Sequence, residues 1–196
     1  MIATNRIAIY GGTFDPIHIG HIHLIDWLIE SKEFAQVIVV PSGSPWQRKP
    51  EASPGARFQM VGLALADRIS SGVVEISDCE LDRVGSYALE TVRRLKASYP
   101  SSDLIWIIGS DAFAGISNWW QVQELAQLVE FLVIHRPGSE VVAPPSFIRW
   151  REREIAALDI SASEIRKQIK SGKSISGLVP ESVIRYIKEN ALYVAS

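Results

Sequence analysis

Two histidines follow a short apolar segment that ends in a pair of glycines. Residues 7–10 are apolar and β-branched, Gly11 and Gly12 follow, and residues 13–21 read Thr-Phe-Asp-Pro-Ile-His-Ile-Gly-His. Small residues let a backbone approach a ligand closely, and the start of the next helix is an anion site. His18 and His21 can face the same way in the first helical turn, so their N–H groups could donate to phosphate oxygens. The pattern favours phosphate chemistry at the end of the first strand.

Two other interpretations of these histidines stay open at the sequence level. A histidine beside a helix start is most often a packing or capping residue. His18, His21 and His23 could also bind zinc, although His23 should point elsewhere and no cysteine or acidic cluster completes a site. The glycine spacing does not fit a dinucleotide fingerprint, and no Lys-Ser/Thr pair marks a P-loop. We predict no metal site built from protein side chains.

Two later segments carry groups suited to a nucleotide. Ser161, Ser163 and Arg166 stand at the start of a predicted helix, where hydroxyls, amides and an arginine could clamp a polyphosphate. Ser161 could equally be a helix cap, because Ser161 and Glu164 have capping-box spacing.

The second segment follows the fourth predicted strand. Gly109 there permits close approach, and Asp111 could accept from ribose hydroxyls or adenine, or could belong to an ordinary turn and helix cap. Trp119 and Trp120 follow eight and nine residues after Asp111. Adjacent tryptophans are usually core, yet one could stack on a flat aromatic ligand.

Short apolar segments alternate with helical patterns along the first two thirds of the chain. Strands are predicted at residues 7–10, 37–40, 73–76, 104–108 and 131–134, and helices at about 21–34, 58–69, 89–95 and 125–128. This alternation predicts a Rossmann-like α/β fold, an open parallel sheet with helices on both faces. Ligands bind such sheets beyond the carboxyl ends of the strands, near the point where the strand order reverses.

The last third has a different pattern. A strand-like segment at 155–158 precedes helices at 163–171 and 180–189, which form a small C-terminal helical extension. We find no linker, and residues 1–196 are predicted to form one domain. The longest loop, residues 42–55, carries Arg48 and Lys49, either of which could reach a phosphate or could simply be solvated.

Composition excludes several protein classes. The 196 residues include 20 Lys plus Arg against 22 Asp plus Glu, a balance that gives no support to nucleic-acid coating. The single cysteine, Cys79, excludes an internal disulfide and suits a reducing compartment. No apolar run reaches about 18 residues, so no membrane span is expected. We predict a cytoplasmic protein without nucleic-acid or membrane partners, and leave open whether it forms a homo-oligomer.

Four segments resemble the motifs of one enzyme family. The segment 11–21 is similar to the signature of the nucleotidyltransferase superfamily that shares the "HIGH" box with class I aminoacyl-tRNA synthetases. With the segments 85–92, 107–113 and 160–166, the chain from about residue 6 to 193 most closely resembles bacterial nicotinate-nucleotide adenylyltransferases. The resemblance implies transfer of the adenylyl group of ATP to nicotinate mononucleotide, with Mg²⁺ accompanying ATP, to give deamido-NAD and pyrophosphate in NAD biosynthesis. Sister enzymes such as pantetheine-phosphate adenylyltransferase, or a non-catalytic nucleotide-binding module, are the alternatives.

The resemblance also implies a role for each motif residue. His18, His21 and Arg166 would be catalytic. The ATP-binding residues would be Gly11, Gly12, Thr13, Phe14, Gly20, Gly109, Asp111, Ser161, Ser163 and Lys49. The residues for the nicotinate nucleotide would be Asp15, Tyr87, Ala88, Trp119, Trp120 and Arg136. Ala88 departs from the family, which has threonine there, so backbone N–H groups must take over the contact with the nicotinate carboxylate. Trp46 and Gln47 likewise stand where Pro-Pro-His-Lys is commoner.

Overall fold

Six strands and seven helices make up the described part of this computed structural model, which covers residues 5–45, 49–83, 85–156 and 158–194. The strands are β1 (Arg6–Gly12), β2 (Gln36–Pro41), β3 (Val74–Ile76), β4 (Asp103–Gly109), β5 (Val129–His135) and β6 (Trp150–Glu154). The helices are α1 (Ile19–Glu30), α2 (Pro54–Ser70), α3 (Ala88–Ser98), α4 (Ser110–Phe113), α5 (Val122–Leu128), α6 (Ala162–Lys170) and α7 (Glu181–Glu189), and a 3₁₀ turn covers Ile116–Asn118.

The strands form one parallel sheet in the order β3-β2-β1-β4-β5-β6. Alternate residues of β1 enter two separate cores. Ala8 packs in a core with α1, α2 and α7, whereas Ile7 and Ile9 pack in a core with α3 and α5. A sheet covered on both faces explains why its strands read as continuous apolar runs. The predicted Rossmann-like fold is confirmed, and the strand order reverses between β1 and β4.

The predicted strand at residues 155–158 is wrong, and the sixth strand is Trp150–Glu154 instead. Its sequence, Trp-Arg-Glu-Arg-Glu, has no apolar run because β6 is an edge strand with mostly exposed side chains. Arg151 forms ion pairs with Glu33 and Glu130, and Arg153 also pairs with Glu33. Backbone pairing with β5 and these ion pairs therefore stabilise β6, and hydrophobic periodicity does not reveal such a strand.

Helix boundaries differ from the predicted ones by small shifts. Helix α1 begins two residues early because His18 is its N-cap. In α2 the buried side chains include Arg57, Met60 and Val61, whereas Ile69 near the end of the helix is exposed. Within the described ranges, no helix has the length and apolar character needed to cross a membrane.

Candidate active site

A cavity of about 180 Å³ opens at the carboxyl ends of β1 and β2. Its wall includes the first motif and the aromatic residues from the later segments. The lining residues are Gly11, Gly12, Thr13, Val40, Ser42, Pro45, Glu80, Ser86, Tyr87, Ala88, Trp106, Trp119 and Trp120. The cavity therefore lies at the edge of the sheet where ligands bind in open parallel folds.

The two histidines of the first motif are stacked at the start of α1. Their ring centroids lie 3.6 Å apart with 29° between the planes. The backbone N–H of His18, the N-cap residue, donates to Nδ1 of His21 at 3.2 Å. Because Nδ1 accepts this bond, the proton of a neutral His21 must be on Nε2. The helix start thus fixes the tautomer of His21 and leaves Nε2–H as its donor.

Two neighbours hold the imidazole pair in place. A Cβ atom at Gly20 would lie 3.1 Å from both Cε1 and Nδ1 of His18, so a side chain there would displace the stacked ring. Phe14 is buried, and its ring meets that of His21 edge-on with the centroids 5.0 Å apart. The Phe14 side chain therefore supports His21, and the ATP-binding role of Phe14 stays a prediction.

Burial keeps both imidazoles uncharged. It lowers the pKa of His18 to about 4, and it lowers the pKa of His21 well below the usual value, with nearby His18 adding to that effect. Near neutral pH the pair consists of neutral rings that donate one N–H each. Such donors can stabilise developing negative charge without first giving up a proton to the substrate.

We expect the His18 ring to stay neutral far below the pH at which an exposed imidazole titrates. Burial disfavours the charged form, so protonation requires a more acidic solution. In the free protein, NMR of the ring carbons should show a titration midpoint near pH 4. A midpoint at pH 6.5 or higher would contradict the buried, neutral pair.

Arg166 is already anchored beside the first motif. Its Nη1 donates to the backbone oxygen of Asp15 at 2.7 Å, and its Nε donates to Oε1 of Glu51 at 2.9 Å. Lys170 lies 2.7 Å from the other oxygen of Glu51. Helix α6 is therefore tied both to the loop after β1 and to the segment before α2.

The serines of α6 show the capping geometry that the sequence left as an alternative. Oγ of Ser161 accepts from the backbone N–H of Glu164 at 3.2 Å and lies 3.3 Å from Oγ of Ser163. Capping uses acceptor capacity of Ser161 but leaves a hydroxyl hydrogen available to a phosphate. The ligand roles of Ser161 and Ser163 stay predictions.

Asp15 faces inward and is bonded within the protein, and its contact with the nicotinate nucleotide stays a prediction. Its side chain accepts from the backbone N–H groups of Glu51 (2.8 Å) and Ala52 (3.1 Å) and from the hydroxyl of Tyr193 (2.7 Å). The residue is only 4% exposed. Because both carboxylate oxygens are bonded inside the protein, Asp15 joins the first motif to the segment before α2 and to the C-terminal Tyr193.

Removing the Tyr193 hydroxyl is expected to destabilise the protein. Tyr193→Phe leaves a buried carboxylate oxygen with one partner fewer, which should lower the free energy of unfolding by about 1–3 kcal/mol. Urea denaturation of the variant measures the change. Tyr186→Phe is the matched control, because its hydroxyl makes no hydrogen bond within the described residues. Equal stability of the two variants would contradict the role assigned to Tyr193.

The residues predicted for the nicotinate ring share the cavity. Trp119 packs edge-on against Trp106, with the ring centroids 6.1 Å apart. The ring centroid of Trp120 lies 5.1 Å from that of Tyr87, and Trp120 is 44% exposed. Ala88 begins α3, so its N–H belongs to a helix start that favours negative charge. The cavity thus combines flat aromatic walls with an anion-attracting end.

Four other residues predicted to contact a nucleotide, Arg136, Gly109, Asp111 and Lys49, are not part of the cavity wall. Arg136 is exposed after β5 and lies 3.6 Å from Asp159. Gly109 is the N-cap of the short helix α4, in whose first turn Asp111 is exposed. Lys49 is also exposed. Trp46, Gln47 and Arg48 lie outside the described residues. The nucleotide contacts of Arg136, Lys49, Gly109 and Asp111 stay predictions.

Sequence reasoning missed Arg57 and Glu80, two buried charged residues close to the first motif. Arg57 is 0% exposed, and Glu80 accepts a hydrogen bond from Thr91. The sequence does hold a signal for Arg57. It lies on the same helical face as the apolar positions 60, 61, 64 and 65 of α2, a pattern that indicates a buried charge. No comparable pattern indicates Glu80.

The groups around the candidate site suit phosphate rather than a resident metal. Among the described residues, no cluster of three His, Cys, Asp or Glu side chains could hold an ion. Imidazole, hydroxyl and guanidinium groups bind phosphate, and Mg²⁺ commonly reaches such sites through substrate phosphates. The donor set fits a metal that arrives with ATP.

The comparisons with known proteins agree with this fold. A family model described as cytidylyltransferase-like matches residues 9–168, which defines the chain as a nucleotidyltransferase-type protein. A curated protein of Desulfitobacterium hafniense, named "Probable nicotinate-nucleotide adenylyltransferase", is 36% identical over 96% of this chain and 95% of its own length. One of the same name from Tropheryma whipplei is 38% identical over 93% and 97%. The chain belongs to the nicotinate-nucleotide adenylyltransferase family.

A solved structure has the same fold. Nicotinic acid mononucleotide adenylyltransferase of Plasmodium falciparum, complexed with NaAD, superposes with a TM-score of 0.78. Its sequence is 22% identical, and the match covers 96% of this chain and 97% of that one. At that identity the likeness supports the fold alone.

Proposed function

We propose that this protein transfers the adenylyl group of ATP to nicotinate mononucleotide, giving deamido-NAD and pyrophosphate in NAD biosynthesis. The observation that carries the proposal is one juxtaposition. A neutral histidine pair, in which the tautomer of His21 is fixed, stands at the start of α1, and the preceding loop lines an aromatic cavity that ends at the start of α3. The phosphate donors and the aromatic cavity match the two halves of the reaction.

The reaction needs alignment more than acid–base chemistry. The nucleophile is the 5′-phosphate of the mononucleotide, whose second pKa of about 6 leaves it ionised at neutral pH. Its oxygen attacks the α-phosphorus of ATP in line, and the bond to pyrophosphate breaks. No base or covalent nucleophile is required, so catalysis consists of positioning and charge stabilisation.

The chain's own groups supply that stabilisation. Nε2–H of His21 donates to the α-phosphate, His18 donates beside it, and Arg166 with the start of α6 holds the remaining phosphates. No cluster of side chains among the described residues would hold Mg²⁺, so it would be held through the ATP phosphates and would neutralise part of their charge. On the other side, Trp119 stacks on the pyridine ring, while N–H groups near Ala88 and Trp120 receive its carboxylate.

A panel of acceptors tests the proposal. Purified protein with Mg²⁺ and ATP is offered nicotinate mononucleotide, nicotinamide mononucleotide or pantetheine phosphate, and pyrophosphate release is followed. We expect the fastest release with nicotinate mononucleotide. Release with pantetheine phosphate alone would move the protein to a sister enzyme family. ATP binding without release for any acceptor would indicate a non-catalytic module.

The cytoplasmic location, the absence of nucleic-acid partners and the oligomeric state stay predictions. The first rests on the composition and on substrates that cells hold in their interior. Size-exclusion chromatography coupled to light scattering would measure the oligomeric state directly.

A further inference from the structure

Arg57 donates to three backbone carbonyl groups around the candidate site. Its Nη1 lies 2.7 Å from the oxygen of Thr13, its Nη2 lies 2.7 Å from the oxygen of Gly43, and its Nε lies 3.3 Å from the oxygen of Ala52. These carbonyls belong to the loop after β1 and to both ends of the segment 42–53. One side chain of α2 therefore fixes the position of two separate segments.

The charge of Arg57 is buried without a contacting carboxylate. Within the described ranges no carboxylate oxygen lies within 4.0 Å of its guanidinium, although Asp15 and Glu80 are close enough to favour the charged form. Asp15 is instead bonded to the backbone and Tyr193, and Glu80 accepts from Thr91. Burying a charge is costly, so the carbonyl bonds must supply much of its stabilisation.

The hydrogen bonds from Arg57 also orient the peptide groups whose carbonyls accept them. In a trans peptide the carbonyl of one residue and the N–H of the next point in opposite directions. Because the Thr13 carbonyl points to buried Arg57, the N–H of Phe14 points away from Arg57. Thr13 itself lines the cavity. Phe14 has φ of 49°, a left-handed conformation that needs external support.

Gly43 shows how tightly the second segment is placed. A Cβ atom there would lie 1.8 Å from the backbone oxygen of Glu80, so the segment 42–45 packs directly on the turn that contains Glu80. Ser42 and Pro45 line the cavity on either side of Gly43. Loss of the Arg57 bond would free this segment at the cavity rim.

We infer that Arg57 is a positioning residue for adenylyl transfer, which locks the Thr13 and Gly43 peptides so that the Phe14 N–H and the cavity rim are held ready for substrate. The inference rests on the proposed function. It assigns Arg57 no contact with substrate. Its effect on the reaction passes through the backbone that it holds.

Two variants separate this role from a purely structural one. Arg57→Lys keeps the charge, but one ammonium group cannot reach three carbonyls as the forked guanidinium does. Because a misplacement of about 1 Å can cost about 100-fold, we expect kcat/KM per folded molecule to fall about 10–100-fold. Arg68→Met is the control on the same helix, since it breaks an ion pair with Asp26 outside the site. It should lower Tm and leave kcat and KM within about twofold. Unchanged kcat and KM in folded Arg57→Lys would overturn the inference.

A measurement on the unmodified protein covers the case in which Arg57→Lys fails to fold. Titration with ATP should shift the amide resonance of Phe14 strongly, while the amide of Ala35, bonded to the Arg6 carbonyl, should barely move. A Phe14 amide that ATP leaves unshifted would overturn the inference. This readout needs no turnover, so it also separates a failure of the Arg57 role from a failure of the proposed reaction.

Discussion

Replacing His21 with alanine is expected to lower kcat about 10²–10³-fold, the usual loss when one preorganised donor is removed. The Nε2–H of His21 is fixed by the bond from the His18 backbone to Nδ1, so the wild-type donor needs no reorganisation during the reaction. This donor should stabilise the transition state more than the bound substrates, because the charge on the transferring phosphoryl oxygens is greatest in the transition state. The measurement is steady-state pyrophosphate release with ATP and nicotinate mononucleotide.

The control for this variant lies on the same helix. His23 is exposed two residues further on, so His23→Ala should keep wild-type kcat. The melting temperature of His21→Ala should change little, since the Phe14 contact is one among many in that core. If His21→Ala is largely unfolded but its remaining folded molecules keep the wild-type kcat, His21 acts in packing instead.

The wild-type protein should prefer nicotinate over nicotinamide mononucleotide by about 5–150-fold in kcat/KM. Ala88 offers no hydroxyl, so recognition of the carboxylate falls to backbone N–H groups at the start of α3 and near Trp120. These donors satisfy a carboxylate, whereas the NH₂ of nicotinamide would place a donor against a donor. An unpaired buried donor costs about 1–3 kcal/mol, and about 1.4 kcal/mol corresponds to tenfold.

Two variants test the parts of this recognition separately. Ala88→Thr restores a hydroxyl and should hold or widen the preference for the acid. Trp119→Ala removes the aromatic wall and should weaken both substrates together, leaving their ratio nearly unchanged. Equal kcat/KM for the two mononucleotides in the wild type would contradict recognition by backbone donors and indicate a dual-specificity enzyme.

The sequence predicted what depends on local pattern. Apolar segments marked the five strands β1 to β5, and the glycine and histidine spacing marked the start of α1. The edge strand β6 was missed because its charged residues are stabilised by pairing with β5 and by distant Glu33. Asp15 has a role in the fold that was missed for a related reason. Its hydrogen-bond partners are up to 178 positions away in the chain, and no spacing rule reveals them.

The residues that hold the site are harder to predict than those that form it. His18 and His21 belong to one helical turn, so their proximity follows from sequence. Arg57 acts through carbonyl groups 5, 14 and 44 positions away, which only the folded chain brings together. Burial of a guanidinium within an apolar stripe is visible in the sequence, but its backbone partners are not.

The stereochemical course at the α-phosphorus tests the central claim most directly. The claim is that the nicotinate mononucleotide phosphate attacks ATP in one in-line step, with no covalent enzyme intermediate. The protein is given ATP with sulfur at one α-oxygen in known configuration, together with Mg²⁺ and nicotinate mononucleotide, and ³¹P NMR reads the dinucleotide product. We predict a sulfur-containing deamido-NAD with inverted configuration. Retention of configuration, or no dinucleotide product, would contradict the account.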